Sequence, residues 1–271
     1  MKRITAVCVL FLSLVLLVSC AHMTGTSTSP VLDRIKQNNE LVVGTAGSMP
    51  PFNMTTKNGK IIGLDVDLAL FMAGAMDVKL RLETMPFAEL IPALESGTID
   101  MVISNMTITP KRNMRVAFVG PYFVSGKALL TKVKPLADIQ DPDEINNNDV
   151  KLAALKGSTG QMFIEELIPN ATLVTTTDYD EAINMVIDGK VDAMVADHPI
   201  CILSVLRNPS KGLITLVSPL TYEPIGIALP SNDPQFVNLV DNFLTTLKDS
   251  KGLNALRDQW FKDGSWLREL E

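Results

Sequence analysis

Two stretches of the chain share one pattern, and together they decide the fold. Ala93–Asn105 reads ALESGTIDMVISN, and Met185–Asp197 reads MVIDGKVDAMVAD. In each stretch a helical segment ends at glycine, a tight loop leads to aspartate, and a short apolar run ends in a polar residue, Asn105 or Asp197. A run too apolar to face water on either side is typical of a strand in a parallel sheet covered by helices.

Strand and helix patterns alternate around both stretches. Strands are predicted at 41–45, 78–85, 101–104, 152–155, 171–175, 193–196, 213–217 and 225–229, and helices at 65–76, 87–94, 161–167, 179–187, 199–206, 234–248 and 253–261. The sequence therefore predicts an α/β fold with two parallel-type sheets flanked by helices.

The polar residues that end the two matching strands point to a cleft. In open α/β sheets, ligands bind outside the carboxyl ends of the strands. Two halves that face each other would therefore place Asn105 and Asp197 on opposite walls of one cleft. The alternative is that each side chain only caps the helix that follows it. The correspondence between the halves favours the cleft.

The N-terminus has the pattern of an export signal. Lys2 and Arg3 precede an apolar run over residues 4–18 that is too short and too early for a membrane span, so residues 1–19 are predicted to be a secretory signal peptide. No later run reaches the ~18 apolar residues that a spanning helix needs.

The apolar run ends in Leu-Val-Ser-Cys, which resembles the bacterial lipobox. In proteins with that box, cleavage occurs before the cysteine, here Cys20, which then carries lipid. An ordinary thiol after an ordinary signal peptide is the alternative. Residues 20–30 are predicted to form the lipidated cysteine and a flexible tether, because this stretch is polar, small and without hydrophobic period.

Composition excludes several other classes. The formal net charge is −6 and the chain has no basic run, which argues against a nucleic-acid partner. With three cysteines and two histidines, it shows no disulfide framework and no metal-ligand spacing. Cys201 lies in the apolar string Ile-Cys-Ile-Leu and is predicted to be a buried, inert thiol. We expect no cofactor and no metal.

Further motifs carry a resemblance to a known family. They are Gly44-Thr45 to Pro51-Phe52, Gly63-Leu64-Asp65-Val66-Asp67-Leu68, Leu90-Ile91-Pro92-Ala93-Leu94, Met106-Thr107-Ile108-Thr109-Pro110-Lys111-Arg112, Pro121-Tyr122, Gly157-Ser158-Thr159-Gly160 and Ala196-Asp197-His198-Pro199. In this order, over residues 35–265, the chain resembles the polar amino-acid-binding proteins of bacterial ABC importers, solute-binding protein family 3.

The resemblance implies a two-lobed fold of the type II periplasmic-binding-protein kind, with two crossover segments that act as a hinge. Lobe 1 would comprise residues 31–126 and 230–271, and lobe 2 residues 127–229. The protein would be an exported, membrane-anchored lipoprotein in the periplasm or at the cell surface. It would act as a monomer that delivers its solute to an ABC permease and ATPase, and it would not be an enzyme.

The resemblance also implies a set of binding residues. Arg112 matches the family's carboxylate-binding arginine, although an exposed arginine at a helix start is the alternative. Asp197 matches the acid that accepts hydrogen bonds from the ligand's ammonium group. Thr107, Asn105, and Thr159 with the neighbouring Ser158 would supply further donors, and Thr159 could also be an N-cap.

The side-chain pocket is expected to suit a neutral L-amino acid or a close analogue. Phe87 matches a position that packs against the ligand side chain, with a plain core role as the alternative. Met49 stands where many relatives have an aromatic residue, and Leu155 where some have lysine. Ala46 stands where many relatives have an acid, which argues against cationic ligands.

Two other functions remain open from the sequence. The frame also resembles cyclohexadienyl dehydratases, in which a cleft acid, here Asp197, would protonate a leaving hydroxyl. A sensory module acting through a partner protein is the second alternative. His198 is predicted to be a helix-start residue and not a base.

Overall fold

The computed structural model of the chain describes residues 29–269. The predicted signal peptide, Cys20 and the predicted tether up to residue 28 lie outside the described residues. The strands are β1 (Glu40–Thr45), β2 (Ser48–Met49), β3 (Asn53–Thr55), β4 (Ile61–Ile62), β5 (Lys79–Thr84), β6 (Met101–Thr107), β7 (Ala117–Ser125), β8 (Lys127–Thr131), β9 (Lys151–Leu155), β10 (Thr172–Thr176), β11 (Ala193–Asp197), β12 (Ile214–Thr215) and β13 (Glu223–Leu229). The α-helices are α1 (Pro30–Asn38), α2 (Leu64–Ala75), α3 (Leu90–Glu95), α4 (Pro110–Asn113), α5 (Lys134–Ala137), α6 (Thr159–Leu167), α7 (Tyr179–Ile187), α8 (His198–Arg207), α9 (Pro234–Asp249) and α10 (Gly252–Phe261).

Two five-stranded sheets define two lobes. The first sheet has the order β5-β1-β6-β13-β7, and the second has the order β10-β9-β11-β8-β12. In each sheet three strands are parallel, and the fourth, β13 or β8, runs antiparallel to both of its neighbours. The predicted two-lobed α/β fold is confirmed, with mixed sheets. The short strands β2, β3 and β4 form a small third sheet.

The two matching sequence stretches adopt the same local structure. The backbone N–H of Val42, on β1, donates to the Asp100 carboxylate at 2.8 Å, just before β6 begins. In the second sheet the N–H of Lys151, on β9, donates to the Asp192 carboxylate at 2.8 Å, just before β11 begins. Each loop aspartate therefore ties its own strand to the parallel neighbour, which sets the register of the sheet at that end.

The folded chain begins earlier than the sequence predicts. Ser29 is buried, and its hydroxyl donates to the Asp233 carboxylate at 2.8 Å. Pro30 is the first residue of α1, a position that suits proline because its missing N–H would have no helical partner there. The prediction of a tether over residues 20–30 is therefore wrong for its last two residues, because Asp233 holds this end against α9.

The chain crosses between the lobes twice, between β7 and β8 and between β12 and β13. The two crossover segments touch each other. The N–H of Leu220 donates to the Lys127 carbonyl at 2.7 Å. A Cβ atom on Gly126 would lie 2.1 Å from the carbonyl oxygen of Thr221, so this close approach requires glycine.

The second predicted lobe boundary is wrong. The strand Glu223–Leu229 pairs with β6 and β7 of the first sheet, whereas the sequence-based division at residue 229 placed it in lobe 2. An apolar strand carries the same hydrophobic pattern in either sheet, so its pattern does not reveal its partner. The second crossover therefore lies near residues 217–222.

Buried clusters fill both lobes and meet at the cleft. The cluster that fills lobe 2 continues through Met49 and Phe87 into lobe 1. Leu203, on α8 of lobe 2, belongs to the cluster that fills lobe 1. No helix among residues 29–269 is long and apolar enough to cross a membrane.

Candidate ligand-binding site

The ends of the two matching strands meet across the gap between the lobes. The side-chain amide of Asn105, near the end of β6, donates to Asp197 Oδ2 at 2.8 Å. Both residues are buried. The sequence placed these two side chains on opposite walls of a cleft, and in the structure they are in direct contact there.

Neither of these side chains caps the following helix. Asp197 precedes α8, but its carboxylate makes no cap hydrogen bond. The helix after β6 is capped by Thr109, whose hydroxyl accepts from the N–H of Arg112 at 3.2 Å. Asn105 lies within β6 with φ of 46°, a left-handed conformation that asparagine tolerates better than most residues. The capping alternative therefore does not describe either position.

Arg112 is buried and bridges the lobes, contrary to the alternative of an exposed arginine. Its guanidinium donates to the Thr107 carbonyl of lobe 1 at 2.7 Å and to the Gly157 carbonyl of lobe 2 at 3.0 Å. The ring of Phe87 lies beneath it, 5.4 Å from the guanidinium carbon. Burial lowers the pKa of Arg112 to about 10, with Glu223 and Asp197 opposing the shift, so this group remains a cation at neutral pH.

Hydroxyl groups of both lobes face each other beside Arg112. Thr107 Oγ1 lies 3.3 Å from Thr159 Oγ1. The helix α6 begins at Thr159 and not near Gln161, and its N-cap is Ser158, which accepts from the N–H of Gln161 at 3.2 Å. The positive end of this helix dipole therefore points toward the cleft, where it favours negative charge.

A cavity of 210 Å³ opens beside Arg112 and is lined from both lobes. Phe87 and Met106 contribute from lobe 1, and Gly157 and Met162 from lobe 2. Met49 is also buried, on β2, a strand that contacts α7 of the other lobe. The structure thus brings the predicted residues to the region between the lobes; their contact with a ligand stays a prediction.

A buried carboxylate lies behind Asn105. Asp65 accepts from the Tyr122 hydroxyl at 2.6 Å, from the Asn53 amide at 2.7 Å and from the backbone N–H of Asn105 at 2.9 Å. Burial raises the pKa of Asp65 to about 6, although these three hydrogen bonds lower it. This network fixes the backbone of Asn105 and so aims its side chain across the cleft.

Two charged residues at the site were missed by sequence reasoning. Lys127 Nζ lies 2.9 Å from Asp197 Oδ1 and 3.7 Å from Glu223 Oε2, and all three side chains are largely buried. The sequence did contain a signal for Lys127, because it directly precedes the apolar run Ala128–Leu130. Such a run is typical of a strand that is buried on both faces, as it is here, so the lysine next to it could be expected to need a buried anion. Glu223 opens a strand and carried no comparable signal.

Two further predictions concern residues next to the cleft. Cys201 is fully buried on α8, as predicted, and burial raises the pKa of its thiol to about 12, which disfavours the reactive thiolate. His198 is the first residue of α8, as predicted, and its ring lies 3.0 Å from the Leu216 carbonyl. Within residues 29–269 no group of three or more His, Cys, Asp or Glu side chains is placed to hold a metal ion.

The two walls of the cleft present groups of opposite charge. The lobe 1 wall offers a buried guanidinium and hydroxyl groups, and the lobe 2 wall offers a buried carboxylate and a helix N-terminus. The amide oxygen of Asn105 is buried without a hydrogen-bond partner in the described part of the chain, which leaves an acceptor free for a donor. Two lobes joined by two crossovers, with a polar cleft between them, define the type II periplasmic-binding-protein fold.

Comparison with known proteins identifies the family. The sequence profile of the bacterial extracellular solute-binding proteins, family 3, matches residues 41–263, so the chain belongs to that family. A glutamine-binding protein of a Bacillus subtilis ABC transporter is 27% identical over 97% of this chain and 98% of its own length.

Solved structures agree with this assignment. The binding component of an ABC transporter from Wolinella succinogenes, in complex with lysine, is 36% identical with a TM-score of 0.80, over 85% of this chain and 99% of that one. An ancestral amino-acid-binding protein described as a precursor of cyclohexadienyl dehydratase is 34% identical with a TM-score of 0.77, at the same coverage.

Proposed function

We propose that this protein is an extracytoplasmic receptor that captures a neutral L-amino acid between its lobes and delivers it to an ABC importer. The observation that carries the proposal is the placement of a buried cation, Arg112, and a buried anion, Asp197, at the interface of the two lobes. An amino acid presents a carboxylate and an ammonium a short, fixed distance apart. One fork-shaped cation and one carboxylate are the partners that such a ligand needs.

The ligand's carboxylate would bind on the Arg112 side. The guanidinium would exchange its two carbonyl acceptors, Thr107 O and Gly157 O, for the stronger carboxylate acceptor. The hydroxyl groups of Thr107 and Thr159 lie next to it, and the N-terminus of α6 adds favourable electrostatics. The ligand's ammonium would bind Asp197 and the free amide oxygen of Asn105.

The neutral side chain that we propose for the ligand is supported by the charges in the cleft and by its apolar residues. The sequence has Ala46 where many relatives have an acid, and the cleft already contains two buried cations, Arg112 and Lys127. A cationic side chain would add a fourth positive charge, after Arg112, Lys127 and the ligand's own ammonium, and would be costly unless a further anion accepted it. Met49, Phe87 and Leu155 are buried and apolar, which suits an uncharged side chain. The relatives include both classes: one solved structure is a complex with lysine, which is cationic, and one relative is a glutamine-binding protein, whose named ligand is neutral.

Ligand-dependent thermal unfolding tests both parts of the proposal. The purified protein is heated with each L-amino acid, with the D-forms and with a prephenate-like cyclic acid. A ligand at ~100 times its dissociation constant stabilises the folded protein by about 2.7 kcal/mol. Stabilisation by neutral L-amino acids supports the proposal. Much tighter binding of arginine or lysine overturns the neutral side chain only, and no binding of any amino acid overturns the receptor.

The cyclic acid in this test addresses the dehydratase alternative. In that reaction Asp197 would have to donate a proton. In the structure both oxygens of Asp197 accept hydrogen bonds, one from Lys127 and one from Asn105. This arrangement favours a group that binds cations over a group that donates protons.

We further propose that Cys20 carries a lipid that anchors the exported protein to the membrane. The support is the order of the signal peptide, the lipobox-like Leu-Val-Ser-Cys and a polar tether before the fold begins. Labelling of cells with a radioactive fatty acid should mark the wild-type protein and not Cys20→Ser. Equal labelling of both, or labelling of neither, would contradict the anchor.

A further inference from the structure

Lys127 is a buried cation at the point where the chain first enters lobe 2. Its side chain is 2% exposed, and Nζ lies 2.9 Å from Asp197 Oδ1. A buried ammonium requires an anionic partner, because its transfer out of water is costly. The partner here is the carboxylate that we propose as the binding group for the ligand's ammonium. The protein's own cation therefore occupies the place that the ligand would take.

Both oxygens of Asp197 have a donor already. Oδ1 accepts from Lys127 Nζ, and Oδ2 accepts from the Asn105 amide at 2.8 Å. An amide can be replaced by a ligand without a change in charge. Two ammonium groups on one buried carboxylate, in contrast, leave one positive charge uncompensated. A ligand's ammonium can bind Asp197 well only if Lys127 finds a second anion.

Glu223 is placed to be that second anion. Its Oε2 lies 3.7 Å from Lys127 Nζ and has no hydrogen bond within the described residues. A shift of about 1 Å would bring this ion pair into hydrogen-bond range. The other oxygen, Oε1, accepts from the Thr221 hydroxyl at 3.1 Å, which holds the carboxylate in place. Thr221 also accepts from the backbone N–H of Lys127 at 2.9 Å.

We propose that the ligand's amino group binds by ion-pair exchange: the ligand's ammonium displaces Lys127 from Asp197, and Lys127 moves onto Glu223. This inference rests on the proposed function and adds Lys127 and Glu223 to it as positioning residues of the amino-group site. Lys127 lies in the sheet of lobe 2 and Glu223 in the sheet of lobe 1, each next to a crossover. The exchange therefore replaces an ion pair within lobe 2 by one that joins the two lobes at their hinge.

Calorimetric titration of four proteins tests the exchange. The ligand is the amino acid that binds the wild type most tightly, and the variants are Glu223→Gln, Lys127→Met and the double variant. Glu223→Gln should weaken binding about tenfold or more, because the displaced lysine loses its acceptor. In the Lys127→Met background the same Glu223 change should weaken binding by less than about threefold, since no lysine is displaced. Glu95→Gln, which removes a carboxylate from an exposed ion pair with Arg115, serves as the matched control and should bind as the wild type does.

The side-chain ammonium signal of Lys127 in NMR spectra gives a second readout that does not depend on the folding of Lys127→Met. The signal is identified by its loss in Lys127→Arg. It should move on addition of the ligand to the wild type and stay in place in Glu223→Gln. A purely structural Glu223 would lower the melting temperature of the variant and leave both its ligand affinity and this response unchanged, which would overturn the exchange. If no amino acid bound the wild type, the receptor function and the exchange would both fall.

Discussion

The two matching strands, β6 and β11, begin alike and end differently. At their starts Asp100 and Asp192 make the same hydrogen bond, each accepting at 2.8 Å from a backbone N–H of the neighbouring parallel strand. At their ends β6 presents the Asn105 amide and β11 presents the Asp197 carboxylate, which are joined at 2.8 Å. The features that both stretches share, the loop aspartate and the apolar strand, organise the sheets. The residues in which they differ, Asn105 and Asp197, lie at the candidate site.

The surroundings of the two strand ends extend this difference. The buried guanidinium of Arg112 lies beside the end of β6. At the end of β11, the carboxylate of Asp197 has the ammonium of Lys127 as its counter-ion. One scaffold used twice thus provides two walls of opposite charge preference. We propose a ligand with a carboxylate at one end and an ammonium at the other because it would pair with both walls.

The largest expected effect is the loss of the cation in lobe 1. Arg112→Ala removes the partner of the ligand's carboxylate from a buried position and should weaken amino-acid binding on the order of 100-fold, since truncation of a buried charged partner costs about 2–5 kcal/mol. Arg81→Ala, which removes a guanidinium from an exposed ion pair with Glu40, is the control and should bind normally. Calorimetry measures both, and equal affinities for the two variants would remove Arg112 from the site.

The carboxylate behind the lobe 1 wall should make stability depend on pH. Burial raises the pKa of Asp65 from its ordinary value of 3.8 to about 6 in the folded protein, so the folded state holds the proton more strongly and stability falls as pH rises from about 4 to 6. The total is on the order of 3 kcal/mol. Asp65→Asn should flatten this part of the profile in urea unfolding, and the exposed Asp258→Asn should retain it. A wild-type stability that rises between pH 4 and 6 while Asp65→Asn shows the same slope would contradict this assignment.

The two equivalent loop aspartates, Asp100 and Asp192, should contribute unequally to the free energy of unfolding. Asp100 is buried and also accepts from the Arg34 guanidinium, whereas Asp192 is half-buried. Asp100→Ala should therefore lower the free energy of unfolding by about 2–3 kcal/mol and Asp192→Ala by about 1 kcal/mol. Urea denaturation measures both. Equal losses would show that the hydrogen bond to the neighbouring strand alone determines each aspartate's contribution to stability, and that burial and the contact with Arg34 add nothing.

The smallest expected effect is on stability and comes from the backbone conformation of Asn105, near the end of β6. Asn105→Gly and Asn105→Ala both lose the hydrogen bond to Asp197, but only glycine adopts a φ of 46° without steric cost. The alanine variant should be less stable than the glycine variant by about 1 kcal/mol. If thermal unfolding ranked the two variants in the opposite order, strain at this position would not be the reason for asparagine.

Much of the fold was predictable because it is local. Helix 179–187 has the predicted bounds, and most other elements lie within a few residues of theirs. The strands β7 and β8 were not predicted, although they flank the first crossover. β7 mixes buried and exposed positions and contains a proline, so it lacks a simple period. The strand 225–229 was recognised, but its sheet was not, because periodicity reports burial and not the partner.

Of the site, the sequence alone determined the two polar strand ends, the buried arginine's motif and the loop before α6, since each belongs to a short contiguous pattern. Only the tertiary structure decided that Asn105 bonds Asp197 across 92 positions of the chain, and that Lys127 lies between Asp197 and Glu223. Hydrophobic patterns specify which side of an element is buried. The pairing of charges is set by how whole sheets and crossovers pack, and that depends on contacts far apart in sequence.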